Sequence, residues 1–192
     1  MQIFFFYQPS FIYIRIYSLY VLLFIKFVKT KLFKYIITKI IVEKERILIL
    51  IKPDGLMKSL TGDIISKLSE TELRIVGAKV INVKRELAEQ HYAHLKKSKP
   101  QIFEETLKYI MGEFHTNRVL ALVYKGPNAL EKIRKIVGKT NPEEAEPTSI
   151  RGKYGRINSK TGVFENAIHA SDSLENAERE IKLWFNEKEL VE

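Results

Sequence analysis

Two unlike stretches of sequence meet near Glu43, and only the second can be read as a folded domain. All nine glycines lie at or after Gly55, whereas 12 of the 21 aromatic residues lie before residue 45. Compact folds need turn residues, so the fold has to be sought in residues 45–192, a length suited to one domain with a sizeable core. Charge divides at the same place. Residues 1–44 hold Arg15, Lys26, Lys29, Lys31, Lys34, Lys39 and Lys44 against Glu43, a net +6 out of +9. The body is only mildly basic, so nucleic acid is not an expected partner. The chain has no cysteine, which excludes disulfides, thiolate-held metals and thiol catalysis; a cytoplasmic setting is expected.

The first stretch is apolar but interrupted. Its longest uncharged interior run, Ile16 to Ile25, has ten residues, against the roughly 20 that span a bilayer. No basic residue precedes the apolar run and no small-residue cleavage site follows it, so a secretory signal fits poorly. Two readings stay open: an interfacial anchor, with Lys26, Lys29, Lys31 and Lys34 among Phe27, Leu32, Phe33 and Ile36, or upstream sequence from a mis-assigned start.

From residue 45 onward the periodicity is informative. Arg46 to Ile51 (RILILI) reads as a buried strand closed by a Pro53-Asp54-Gly55 turn. A helix follows from Gly62-Asp63, then a strand from Leu73 to Val83, and a helix over RELAEQHYAHL. Pro100 opens a further helix, Arg118 to Lys125 is a third strand, and Asn128 to Val137 is a helix ended by Gly138. Residues 139–165 read as a long loop of the kind that is usually functional. Asn166 to His169 forms a short strand, and Asp172 with Glu175 fits a capping box for SLENAEREIKLWF. This order predicts an α+β fold, a ferredoxin-like split βαβ antiparallel sheet with helices packed on it.

No GxxxxGK[ST] or GxGxxG motif occurs, so a glycine-rich phosphate cradle is absent. His91, His94 and His115 read as surface or half-buried residues, because no third metal ligand lies nearby in sequence. His169 differs in ending a strand beside a helix start, where a neutral imidazole could serve as a nucleophile if a carboxylate held its other nitrogen. Glu180, about two and a half turns into the next helix, could supply that carboxylate. A purely structural histidine is the competing reading. Lys52, Arg134 and Arg151, with hydroxyls on Tyr92 and Thr140, are scattered polar groups, and such residues commonly form a solvated surface.

In order along the chain, I-K-P-D-G (51–55), H-Y (91–92), R-K-I-V-G-K-T-N-P (134–142), S-I-R-G (149–152) and N-A-I-H-A-S-D-S (166–173) resemble the nucleoside diphosphate kinase family. The likeness runs from about Glu45 to Phe185. It implies transfer of the γ-phosphate of a nucleoside triphosphate, mainly ATP, to nucleoside diphosphates of any base, by a ping-pong route through a phosphohistidine. The same resemblance makes His169 the phosphoacceptor through its δ nitrogen, Glu180 the partner of its ε nitrogen, and Ser171 the support of Glu180. Lys52 would contact the ribose hydroxyls and the transferred phosphate, Tyr92 the same phosphate, Arg134 and Thr140 the distal phosphates, Arg151 the charge developing on transfer, and Asn166 the ribose hydroxyl. Phe103, rather than Ile102, would stack on the base. Mg²⁺ would arrive with the nucleotide, Asp172 holding one of its waters, and the chain would form a homo-oligomer, a hexamer before a tetramer.

The sequence departs from the family pattern in particular places. The stretches His91–Tyr109, Gly112–Arg118 and Arg151–His169 are longer than usual. Thr148 stands where glycine is usual, and Glu165 where arginine is usual before Asn166.

Overall fold

A computed structural model describes residues 24–32, 34–35 and 45–191; the expectations for the rest of the first 44 residues fall outside them. The chain divides into a unit of Met1–Ile41 and one of Val42–Glu192. In the first unit, residues 24–32 and 34–35 are helical. No helix among the described residues is long and apolar enough to cross a membrane.

The second unit is built outward from β1 (Arg46–Ile51), whose five apolar side chains are fully buried. Strand alternation sends Ile47, Ile49 and Ile51 into one core and Leu48 and Leu50 into another. Burial on both faces explains why RILILI is uninterrupted rather than alternating. α1 (Pro53–Met57), α2 (Thr61–Ser69), β2 (Arg74–Asn82), α3 (Arg85–His91), α4 (Ala93–Ser98), α5 (Pro100–Ile110), β3 (Arg118–Lys125) and α6 (Ala129–Val137) follow. α7 (Ile150–Tyr154), β4 (Arg156–Ile157), β5 (Phe164–Glu165), β6 (Ile168–Ala170) and α8 (Leu174–Trp184) complete it.

The main sheet has the order β2-β3-β1-β6, and every neighbouring pair is antiparallel. This is the expected ferredoxin-like arrangement. Ile64 and Leu68 of α2 and Ile133 and Val137 of α6 fill the first core. Leu107 and Ile110 of α5 and Ile181 and Trp184 of α8 fill the second.

Several local expectations are corrected. Pro-Asp-Gly begins a short helix instead of a turn, with Pro53 in its first turn where the missing N–H costs nothing. The helix expected over residues 85–95 breaks at Tyr92, whose backbone lies at φ −97, ψ 16. The break lets consecutive side chains, His91 and Tyr92, both turn inward. The 139–165 loop is structured: a 3₁₀ turn at Pro142–Glu144, α7 capped by Ser149, and the two-stranded hairpin β4–β5. The last strand starts at Ile168, because Ala167 sits at φ 62. Ser173, not Asp172, caps α8 by accepting the Asn176 N–H at 3.1 Å, while Asp172 accepts from the Asn176 side chain.

Candidate active site

His169 lies on β6 opposite Leu50. Its Nε2 is 3.0 Å from a Glu180 oxygen, and Ser171 Oγ donates to that same oxygen at 2.6 Å. Burial alone would raise the Glu180 carboxyl, but the bonds from His169 and Ser171 outweigh it and hold it below the usual range. An ionised carboxylate only accepts, so Nε2 carries the proton and Nδ1 keeps its lone pair. Burial, partly opposed by Glu180, lowers the His169 pKa, so the ring is neutral at pH 7.

His169 and Glu180 line a cleft of about 810 Å³ that also gathers Lys52, Tyr92, Arg134, Thr140, Arg151, Asn166 and Asp172. Lys52 follows β1, is 8% exposed, and donates from Nζ to Asn166 Oδ1 at 2.7 Å. Burial first and Arg151 second, against Asp54, bring its pKa down to about 7. Asn166 in turn donates to the Thr140 carbonyl at 2.7 Å. Arg151, buried on α7, donates to the carbonyls of Gly138 (2.9 Å) and Ile168 (3.2 Å). Burial and then Arg134 bring its pKa to about 10, so it stays charged at neutrality.

The Tyr92 hydroxyl is buried and has no hydrogen-bond partner among the described residues. Burial raises its pKa, so it is a neutral donor facing the cleft. Asp172, also lining the cleft, is held below the usual carboxylate range first by its bond from Asn176. Ser171 is fully buried behind the site.

Phe103 is not brought to this cleft. It is 4% exposed and packs in the second core, whereas Ile102, one position earlier on α5, lines the opening. Neighbouring residues on a helix point about 100° apart, so the extra residues before α5 decide which one faces out.

The cleft includes groups for which the sequence reading assigned no role. Tyr109, Arg179 and the hairpin residues Gly162, Val163 and Phe164 line it. His91, expected on the surface or half-buried, is 1% exposed, and its Nδ1 accepts the Trp184 indole N–H at 3.1 Å. Its ring stands edge-to-face against His169, centroids 4.5 Å apart. Its position in the H-Y doublet was the available signal. His94 lines the cleft, and His115 is half-buried as expected. His91, His169 and Glu180 present ligand atoms within 4.8 Å of one another. One nitrogen of each imidazole is already committed, His91 Nδ1 to Trp184 and His169 Nε2 to Glu180.

A neutral nucleophilic nitrogen among buried cations suits transfer of a phosphoryl group, and comparison with known proteins agrees. The family model for nucleoside diphosphate kinase matches residues 45–190. The nucleoside diphosphate kinase of Symbiobacterium thermophilum is 45% identical over 145 residues, covering 76% of this chain and 89% of that protein. That of Pyrococcus furiosus is 45% identical over 150 residues, covering 78% and 88%. Among solved structures, a transition state mimic of the Borrelia burgdorferi enzyme with vanadate and ADP aligns with a TM-score of 0.70 at 31% identity, covering 77% of this chain and 90% of that one. The Encephalitozoon cuniculi enzyme aligns with a TM-score of 0.67 at 40% identity, covering 77% and 93%. On the strength of both sequence and architecture, the chain belongs to the nucleoside diphosphate kinase family and is a phosphotransferase acting on nucleotides.

Proposed function

We propose that His169 carries the phosphoryl group between nucleotides in two half-reactions. The observation that carries this reading is the Ser171–Glu180–His169 chain, which leaves Nδ1 unprotonated in a ring lining a cationic cleft. In the first half-reaction a bond forms from Nδ1 to the γ-phosphorus of a nucleoside triphosphate. The bond from that phosphorus to the bridging oxygen breaks, and its electron pair leaves on the diphosphate. The second half-reaction reverses this with another diphosphate. Glu180 stabilises the positive charge that develops on the ring, the role of a carboxylate that fixes a catalytic imidazole.

Catalysis of this kind rests on alignment and on charge around the transferring oxygens. Lys52 and the unpartnered Tyr92 hydroxyl suit the transferred phosphate, Arg134, Thr140 and Arg151 the remaining phosphate oxygens, and Asn166 the ribose. Ile102 takes the place expected of Phe103 beside the base, an apolar surface that tolerates any base. Magnesium bound to the nucleotide would neutralise phosphate charge; Asp172 is the exposed cleft carboxylate suited to a metal-bound water, as a hard cation prefers oxygen ligands to the His91–His169 pair. Resemblance to the family and the exposed Ile75 and Val80 of β2 support a homo-oligomer, a hexamer before a tetramer. The lack of cysteine supports a cytoplasmic setting.

The direct test is incubation with γ-labelled ATP and Mg²⁺, followed by a chase with several diphosphates. Acid-labile, base-stable label on His169 that passes to every diphosphate is expected. A His169→Ala protein with full exchange activity refutes the reading.

A second reading concerns the first 44 residues, taken as an extension separate from the kinase domain of residues 45–192. In the described helical residues 24–32, the exposed apolar side chains Phe24, Phe27, Val28 and Leu32 are interspersed with Lys26, Lys29 and Lys31, whose ammonium lies over the Phe27 ring. That pattern suits an anionic lipid surface. Sedimentation with phosphatidylserine vesicles, lost at high salt and on removal of residues 1–44, is expected; salt-insensitive or absent binding refutes it.

A further inference from the structure

Glu165 stands where the family usually has arginine, and its carboxylate is 1% exposed. A buried charge persists only when donors surround it. Arg156 Nε donates to one oxygen at 2.6 Å, while Asn158 Nδ2 at 2.7 Å donates to the other, which lies 3.2 Å from His115 Nε2. Burial would raise this carboxyl, but the bonds from Asn158, Arg156 and His115 hold it below its usual range. Arg156 opens β4, Asn158 begins the hairpin turn, and His115 lies in the connection before β3. These are two of the stretches that are longer than the family pattern. Three departures from the family therefore meet at one carboxylate, where an arginine would face Arg156 without a counter-charge.

What this carboxylate holds borders the cleft on both sides in sequence. Before it, Gly162, Val163 and Phe164 line the cleft wall. After it, Asn166 accepts from Lys52, and Ala167, at φ 62, donates its N–H to the buried Asp54 carboxylate at 3.0 Å. The Ala167 carbonyl accepts the Lys52 N–H at 2.9 Å. His169, Glu180 and Ser171, by contrast, make no contact with the hairpin in these bonds.

We propose that Glu165 is a positioning residue for nucleotide binding: it locks the long β4–β5 hairpin to the 112–117 connection and thereby sets Asn166 and the cleft wall, without acting on the chemical step. The proposal rests on the nucleotide reading of the cleft. It is tested with Glu165→Gln, Arg156→Gln and the double variant of the full chain. For Glu165→Gln the KM for a nucleoside diphosphate acceptor is expected to rise about tenfold, the effect of one unsatisfied buried group. The kcat and the phosphohistidine yield from saturating ATP should stay within about threefold, since only binding is touched. Amide exchange over residues 162–166 should accelerate, and the double variant should lose less than the sum of the single changes. A folded Glu165→Gln protein with unchanged KM and exchange overturns the proposal, as does a fall in kcat at constant KM. Should Glu165→Gln not fold, Arg156→Gln decides alone, because the Arg156 side chain is 59% exposed and its loss spares the core; an unchanged KM then overturns the proposal. Absence of phosphohistidine in the unmodified protein would indict the reading of the cleft instead.

Discussion

Nucleotide binding should take up a proton at Lys52. In the free protein this amine is buried and titrates at about 7, while burial, the dominant cause, is opposed only by Asp54. Phosphate oxygens beside Nζ favour the ammonium form, so the bound pKa must lie higher. If only the ammonium form binds well, apparent Kd is the intrinsic value divided by the protonated fraction. That fraction falls from about one half at pH 7 to about one hundredth at pH 9, so affinity for ADP should weaken about fiftyfold over this interval. Arg151, with a pKa of about 10, keeps its charge through most of the interval, and Tyr92 is pushed up beyond it. The assay is titration calorimetry with ADP at pH 8.5 in buffers of different ionisation enthalpy, where close to one proton should be absorbed per site. A Lys52→Met protein should bind weakly with no slope. A flat Kd from pH 7 to 9, or a slope that survives in Lys52→Met, refutes the reasoning.

The same shift has a stability consequence. For a base whose folded pKa lies below its unfolded value, the unfolded chain holds more protons between the two, so stability rises with pH across that window. The cost is complete below about pH 7 and is relieved as pH climbs toward 10.5. Lys52→Met, which fills similar space without the charge, should therefore melt at a higher temperature than the unmodified protein at pH 7 while losing activity.

Other substitutions test the remaining geometry. Glu180→Gln should slow formation of phosphohistidine in quenched flow by about a hundredfold, as the developing imidazolium loses its counter-charge; a change under threefold would show that Glu180 is not needed. Gly55→Ala would place a Cβ 2.9 Å from the Ala167 carbonyl and 3.1 Å from Ile51. Urea unfolding should show a loss of roughly 1–3 kcal/mol, the cost of overpacking, and an unchanged midpoint would mean the segment yields freely. His91→Phe keeps the ring against His169 but strands the Trp184 N–H, costing about 1–3 kcal/mol. Trp184, the single tryptophan, should report the change as altered fluorescence, and an unaltered spectrum would deny the bond.

The readable parts of the fold were those where one physical demand acts alone. RILILI had to be a strand buried on both faces, and Pro100 and Gly138 mark helix ends through backbone chemistry that tertiary contacts do not override. Where two solutions were locally equal, sequence could not choose. Asp172 and Ser173 are both good caps, and Ile102 and Phe103 are both apolar neighbours on one helix. The break at Tyr92 leaves helical periodicity intact on either side. The hairpin was invisible because its strands are two residues long and are held by the Glu165 side chain, a tertiary cause. In the cleft, His169 and Glu180 were suggested by spacing. The gathering of Lys52, Arg134, Arg151 and Asn166 came only from family resemblance, since nothing local links residues so far apart. His91 read as surface or half-buried because its partner, the Trp184 indole of α8, lies 93 positions away in sequence.

The placement of β6 against β1 governs when activity can first arise during synthesis. Lys52 and Asn166 meet across 114 positions of chain, and Arg46 and Glu178 across 132. Domains fold as units while the chain emerges from the ribosome. A nascent chain that has exposed β1, β2 and β3 therefore has β1 as an unpaired edge and two of its five phosphate-binding groups, Lys52 and Tyr92, yet no nucleophile. Translation must pass β6 before β1 gains its second partner and α8 before the imidazole gains its carboxylate, so chains that stop short of β6 lack the nucleophile and present an unpaired β1 edge to chaperones.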